Sequence, residues 1–103
     1  AEGSAAQEAQ AVLDSSIVVG AFQNISAEDL LIPDRTIDSD VIVCADDDDA
    51  RKRVIALANL IDGARGVDGG SLQNVRYVED FTAMLLNINR IYHAHSTIKI
   101  IGI

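Results

Sequence analysis

An α/β layered fold is predicted by three observations on this 103-residue sequence. Two runs, Ile17 to Phe22 and Asp40 to Ala45, have the near-continuous hydrophobicity of strands covered on both faces, as in a parallel sheet. Apolar residues recur at helical spacing between and after them. The order is therefore strand, helix, strand, helix, which is the layered pattern. The length suits one compact domain, since such domains cluster near ~100–150 residues. Hydrophobic residues make up 49%, with one Pro and seven Gly, a globular and not a disordered composition.

Each element follows from local chemistry. Ser4 and Gln7 have the spacing of a capping box, and the Ala-rich stretch Ala5 to Leu13 favours helix by propensity. Asp14-Ser15-Ser16 ends it, and the apolar run Ile17 to Phe22 reads as the first strand. Ser26 and Asp29 predict a second cap and a short helical turn before Pro33. The second strand, Asp40 to Ala45, leads into four aspartates and a helix from about Ala50 to Ile61. Val54, Ile55, Leu57, Ala58 and Ile61 form its apolar face, and Gly63 is the expected C′ residue. Ala64 to Asp68 reads as a brief third strand, with Gly69-Gly70 as a turn. A long amphipathic helix follows from Ser71 to about His95, with Leu72, Val75, Val78, Phe81, Leu85, Ile88 and Ile91 repeating every three or four residues. The β-rich segment Ile98 to Ile103 closes the chain.

Composition excludes several functions. Eight Lys plus Arg against 16 Asp plus Glu give a formal charge of −8. Phosphate contacts need a basic face, so a nucleic-acid partner or an anionic membrane surface is not expected. Cys44 is the one cysteine, which precludes an internal disulfide and suggests a reducing, cytoplasmic compartment. No run of ~18 apolar residues could cross a bilayer. The N-terminal stretch lacks the basic and apolar regions of a secretory leader.

Two features point to a missing neighbour. A helix of roughly 24 residues would be about 36 Å long, against a radius of gyration near 13 Å for a compact domain of this size. Such a helix has surface to give to a partner. Strands apolar throughout also need more cover than these few helices supply. A partner chain or an upstream domain is expected.

No side-chain constellation announces a catalyst. The run Asp46 to Asp49 is read as a helix start, with Asp46 the cap and the others complementing the dipole. Adjacent helical residues diverge, so the four cannot converge on one cation, and no metal site is expected. His93 and His95 are two apart, which suits a helix C-terminus better than a metal. Cys44 is expected to behave as a small buried hydrophobe. The run Gly63 to Gly70 lacks the spacing of a nucleotide-binding loop and reads as turn chemistry. Glu79 and Asp80 are too close on a helix to share a substrate. The absence of an acid–base pair is compatible with hydride transfer between two cofactors, which needs positioning and water exclusion more than protein acids or bases.

Several motifs, taken in order, carry a resemblance. Val18 to Ser26 is similar to the "VVSAFxNVS" stretch of the NADP oxidoreductases that use the deazaflavin coenzyme F420. Asp40 to Asp47 resembles that family's "DVxVCGDD", and Val67 to Leu72 its "VDAGPL". Asn74 to Glu79 with Thr82, then Leu85 to Arg90, resembles "NARxVExLTxLLLNINR". Ile98 to Ile103 resembles the "IRITGL" terminus. The likeness covers nearly the whole chain.

The resemblance implies a partial Rossmann-like layered sheet with flanking helices and a long C-terminal helix, in a homodimer. Residues 1–70 would be the C-terminal part of a Rossmann-like domain, and 71–103 a dimer and cofactor-cleft element. The implied activity is hydride transfer between NADP(H) and coenzyme F420, with this chain supplying the deazaflavin side. The glycine-rich NADP loop would lie upstream, leaving the 103 residues inactive alone. The implied cofactor-binding residues are Gln23, Ile25, Arg76 and Thr82, with no catalytic acid or base. Ile25 matches the apolar residue that packs on the ring and sets the distance between cofactors. Gln23 stands where family members carry His or another polar residue, and Asp80 where some carry Ser. A non-catalytic dimerisation module, or an NADP-dependent enzyme with another acceptor as in ferric reductases, are the alternatives.

Overall fold

The structure, a computed structural model, describes residues 3–25, 30–31 and 36–103. The cap expected at Ser26 and Asp29, and the turn before Pro33, lie outside the described residues. What is described is an α/β arrangement of three helices, one 3-10 turn and a two-stranded parallel sheet.

Helix α1 (Ala5–Val12) starts with the capping box that the sequence predicts. The Gln7 amide donates to Ser4 Oγ at 3.2 Å, and the Ser4 amide donates to Gln7 Oε1 at 3.1 Å. Two of the helix's orphan donors are thereby satisfied. Gln10 secures the exit: its Nε2 donates to the Leu13 and Ser16 carbonyls at 3.0 and 2.8 Å, and its Oε1 accepts from the Val18 amide.

The sheet pairs β1 (Ser39–Val43) with β2 (Ala64–Asp68), Ser39 opposite Ala64 and Val43 opposite Asp68. Helix α2 (Asp48–Asn59) makes the crossover between them. Its N-cap is Asp47 and not Asp46: the Asp47 backbone is extended, and its carboxylate accepts from the Ala50 amide at 2.8 Å. Asp46 instead accepts from the Leu72 amide at 3.0 Å, tying the end of β1 to the start of the last helical segment. Asp48 and Asp49 do lie in the first turn, as the dipole favours. Gly63 is not the C′ residue. Leu60 caps α2, and Gly63, at φ +83°, makes the turn into β2.

Both sheet faces are covered. Val41 and Val43 pack with Ala58, Val54 and Ile55 of α2 on one face. Ile42 and Cys44 point to the other, against Leu72, Val75, Val78, Ala6 and Val18. Burial is therefore nearly continuous along β1, which the unbroken apolar run predicts.

Three further expectations are corrected. Ile17 to Phe22 is not a strand: a lone antiparallel bridge joins Gly20 to Cys44, with amide-to-carbonyl distances of 2.8 and 2.9 Å. Phe22 adopts φ +67°, which turns the backbone out of the ladder. The segment Ile98 to Ile103 is likewise not a strand, because side chains and single carbonyls hold it in place of a ladder. Finally, the long helix is shorter than its periodicity suggests. A 3-10 turn (Leu72–Asn74) precedes α3 (Val75–Tyr92), which ends where His93 turns left-handed at φ +51°.

Candidate functional site

Gly20 sets the geometry around Gln23, Ile25 and Thr82, three of the four residues that the motifs single out. A Cβ there would sit 2.4 Å from Val75 Cγ2 and 3.2 Å from Gln23 Nε2. Only a residue without a side chain lets the 20–25 segment lie this close to the start of α3. The Ile25 amide donates to the Phe22 carbonyl at 3.1 Å, closing a tight turn. Ile25 and Phe22 pack half-buried against the Val41, Val43 and Ala58 cluster, and that burial offsets the unfavourable Phe22 backbone.

Thr82, two turns further on along the same face of α3 as Val75, donates to the Val78 carbonyl at 2.8 Å, with the Gln23 carbonyl at 3.4 Å. The structure thus brings Gln23, Ile25 and Thr82 into one region. Arg76 is not part of that contact. At 100° per residue it lies about 120° around α3 from Thr82. It is exposed, stacks over the Tyr77 ring at 5.6 Å, and lines a shallow polar cavity of 290 Å³ with Gly3, Gln7, Gln73 and Tyr77.

Sequence reasoning missed a buried ionic node beside this region. Asp40 and Arg65 are opposite each other in the parallel register. Asp40 is 1% exposed, and Arg65 grips its carboxylate with Nε at 2.9 Å and Nη2 at 2.6 Å. The Ile100 amide donates to the same carboxylate at 2.6 Å, while Arg65 also donates to the Ile100 and Ile103 carbonyls. The Arg65 hydrogen bond holds the Asp40 carboxyl below the usual carboxylate range, with burial opposing it and the Ile100 amide assisting. One polar residue opening an apolar strand was the available signal. Its partner is 25 residues away and becomes visible only once the register is known.

A second cation closes the carboxyl end of the sheet, where open α/β folds commonly receive ligands. Arg51 Nη1 donates to the Ala45 carbonyl at 2.6 Å, and the guanidinium pairs with Asp48 and, at 2.9 Å, with Asp68. The Gly70 amide, at 2.8 Å, is the main cause that lowers the Asp68 carboxyl below its ordinary range. Cys44 is buried there at 1% exposure, and burial pushes its thiol up. Among the described residues no group of three or more His, Cys, Asp or Glu side chains could hold a metal ion. No described helix is long and apolar enough to cross a membrane.

Known proteins resemble this chain along most of its length. It is 43% identical over 96 residues to an F420-dependent NADP reductase of Methanocaldococcus jannaschii, covering 93% of this chain and 43% of that protein. Proteins of the same name from Methanothermobacter thermautotrophicus and Methanothermobacter marburgensis are 41% and 40% identical over 90 residues. Those matches cover 85% of this chain and 39% and 40% of the relatives. The chain spans about two fifths of the length of the curated relatives it matches. No family model matches it. The resemblance carried by the sequence motifs is the one these comparisons find.

Proposed function

We propose that this chain, a relative of the F420-dependent NADP reductases, supplies the deazaflavin side of the cleft in an oxidoreductase that moves hydride between NADP(H) and coenzyme F420. The observation that carries the reading is the 40–43% identity across the segments that hold Gln23, Ile25, Arg76 and Thr82. The residues fit the group. Among the described residues nothing hydrogen-bonds the Gln23 side-chain amide, so it retains a donor and an acceptor for a polar ring edge. Ile25 adds apolar surface beside it.

The deazaflavin, when bound, takes up or gives the hydride, and the protein's part is placement. Ile25 presents a methyl surface to the ring face and excludes water from it. Gln23 orients the ring by its amide. Arg76, held apart on α3, meets an anionic portion of the coenzyme by charge-assisted hydrogen bonds. Thr82 steadies the Gln23 backbone. The proton that balances reduction of the ring would be exchanged with solvent, so activity is expected to depend on positions more than on a protein acid or base. Residues 1–70 would form the C-terminal part of a Rossmann-like domain in a cytoplasmic enzyme, and 71–103 the cleft and dimer element.

Fluorescence titration of F420 into the full-length protein tests the reading. Saturable quenching is expected; no quenching contradicts it.

The homodimer belongs to the same proposal. Tyr77, Phe81, Met84 and Ile91 are 63%, 45%, 54% and 70% exposed. Their spacing of four, three and seven puts them on one stripe of α3, opposite Val75 and Thr82. Phe81→Glu with Met84→Glu is expected to convert a dimer to a monomer in sedimentation. A wild type that sediments as a monomer contradicts the dimer alone.

A further inference from the structure

The Gly20–Ile25 segment follows the open edge of β1, although it makes no ladder. Gly20 faces Cys44 in antiparallel register, and four residues on, four residues back, Asn24 faces Asp40. Between them the positive φ of Phe22 removes the backbone from pairing distance. At Asn24 the contact resumes by a different means. Its side-chain Nδ2 donates to the Asp40 backbone carbonyl at 2.7 Å, where a paired strand would have donated an amide. The Asp40 amide on that same edge donates to the Ile98 carbonyl at 2.7 Å. Because the partner atom is a carbonyl oxygen, the amide nitrogen must face it, which fixes the Asn24 side chain in one orientation. Asn24 is 5% exposed, so solvent does not compete for this bond. Its two neighbours in sequence are Gln23 and Ile25.

We propose that Asn24 is a positioning residue whose amide replaces the missing rung to β1 and so fixes where Gln23 and Ile25 face the deazaflavin. This rests on the function proposed above. The anchor is well founded, since the Asp40 carbonyl belongs to the residue whose carboxylate Arg65 and the Ile100 amide clamp. Without Asn24 the loop would keep its packing and the 3.4 Å approach of Thr82 to the Gln23 carbonyl, but Gly20 would be its only rung to β1. Tied again at Asn24, it presents the two flanking side chains in a single orientation, as preorganisation for a planar ligand requires.

The test compares full-length wild type with Asn24→Ala and Asn24→Leu. The leucine keeps about the size of asparagine and removes the donor without burying a charge, so it serves where alanine leaves the chain unfolded. F420 binding is read by fluorescence quenching and NADPH binding by a separate titration. The expected result is F420 affinity weakened about ten-fold in each variant, the weight of one buried hydrogen bond, with NADPH affinity held within about two-fold. Equal weakening for both ligands overturns the inference, because a merely structural residue would loosen the whole site. Unchanged F420 affinity in the variants overturns it as well, and leaves the proposed function standing. No quenching by the wild type overturns both.

Discussion

Asp40→Ala is expected to destabilise the protein by ~2–3 kcal/mol, the range for losing hydrogen bonds to a buried charge when the freed cation can return to water. For a domain of this size that is a fall of roughly 10–20 °C in Tm. Arg65 keeps 41% side-chain exposure and can be resolvated, which holds the cost to the lower end of the range for a broken buried pair. Two attachments disappear together: the bidentate grip of Arg65 from β2 and the Ile100 amide bond to the same carboxylate. The converse change, Arg65→Met, is expected to be worse, since it leaves a carboxylate at 1% exposure with a single amide for company. The pH dependence has a definite sign. The folded-state Asp40 carboxyl is lowered, so its contribution is fully present above the unfolded value near pH 4 and is lost as pH falls through the folded value. Asp68 behaves alike. Wild type should therefore lose Tm progressively below about pH 4, and Asp40→Ala should lose less over the same window. Thermal melts by circular dichroism across acid pH check both statements. Parallel curves for the two proteins would show that the Asp40 pair contributes nothing.

The second large effect is expected at Gly20. A valine there brings its Cβ to 2.4 Å from Val75 Cγ2, a distance that side chains do not tolerate. Either the 20–25 segment leaves α3, or Val75, 1% exposed in the core, leaves its place beside Cys44 and Leu72. Overpacking of this kind costs roughly 1–3 kcal/mol. The first outcome also separates Gln23 from Thr82. Gly20→Val is thus expected to lower Tm and to weaken F420 binding by more than any single side-chain deletion in the site. Gly20→Ala carries the same Cβ and should move both readouts in the same direction by less. Unchanged binding in a folded Gly20→Val protein would show that the close approach to α3 does not shape the site.

What the sequence made legible follows the range of the forces involved. The Ser4–Gln7 box is readable because it depends on a few adjacent residues, and β2 (Ala64–Asp68) because Gly63 and Gly69-Gly70 bracket it. The cap of α2 was misplaced by one residue, since Asp46 and Asp47 are chemically equal and only the backbone decides which faces the helix. The apolar run Ile17 to Phe22 carries hydrophobicity without a period, so it could not reveal the single bridge at Gly20 or the backbone turn at Phe22. Residues 98–103 are β-branched enough to suggest a strand, yet their attachment is the Asp40–Arg65 node, a contact set by register. The site shows the same division. Gln23, Ile25, Arg76 and Thr82 are candidates that the motifs single out. Only the fold shows that Thr82 meets the Gln23 carbonyl while Arg76 stands on another flank of α3.

The central claim, that this chain contributes the deazaflavin side and not the nicotinamide side, is tested most directly on Arg76. Arg76 is exposed, so its loss does not unfold the protein. Steady-state hydride transfer from NADPH to F420 by the full-length protein would be measured for wild type and Arg76→Ala. The account predicts a KM for F420 raised about ten-fold or more, the weight of a charge-assisted hydrogen bond, with the KM for NADPH unchanged. A raised KM for NADPH with that for F420 unchanged would contradict it.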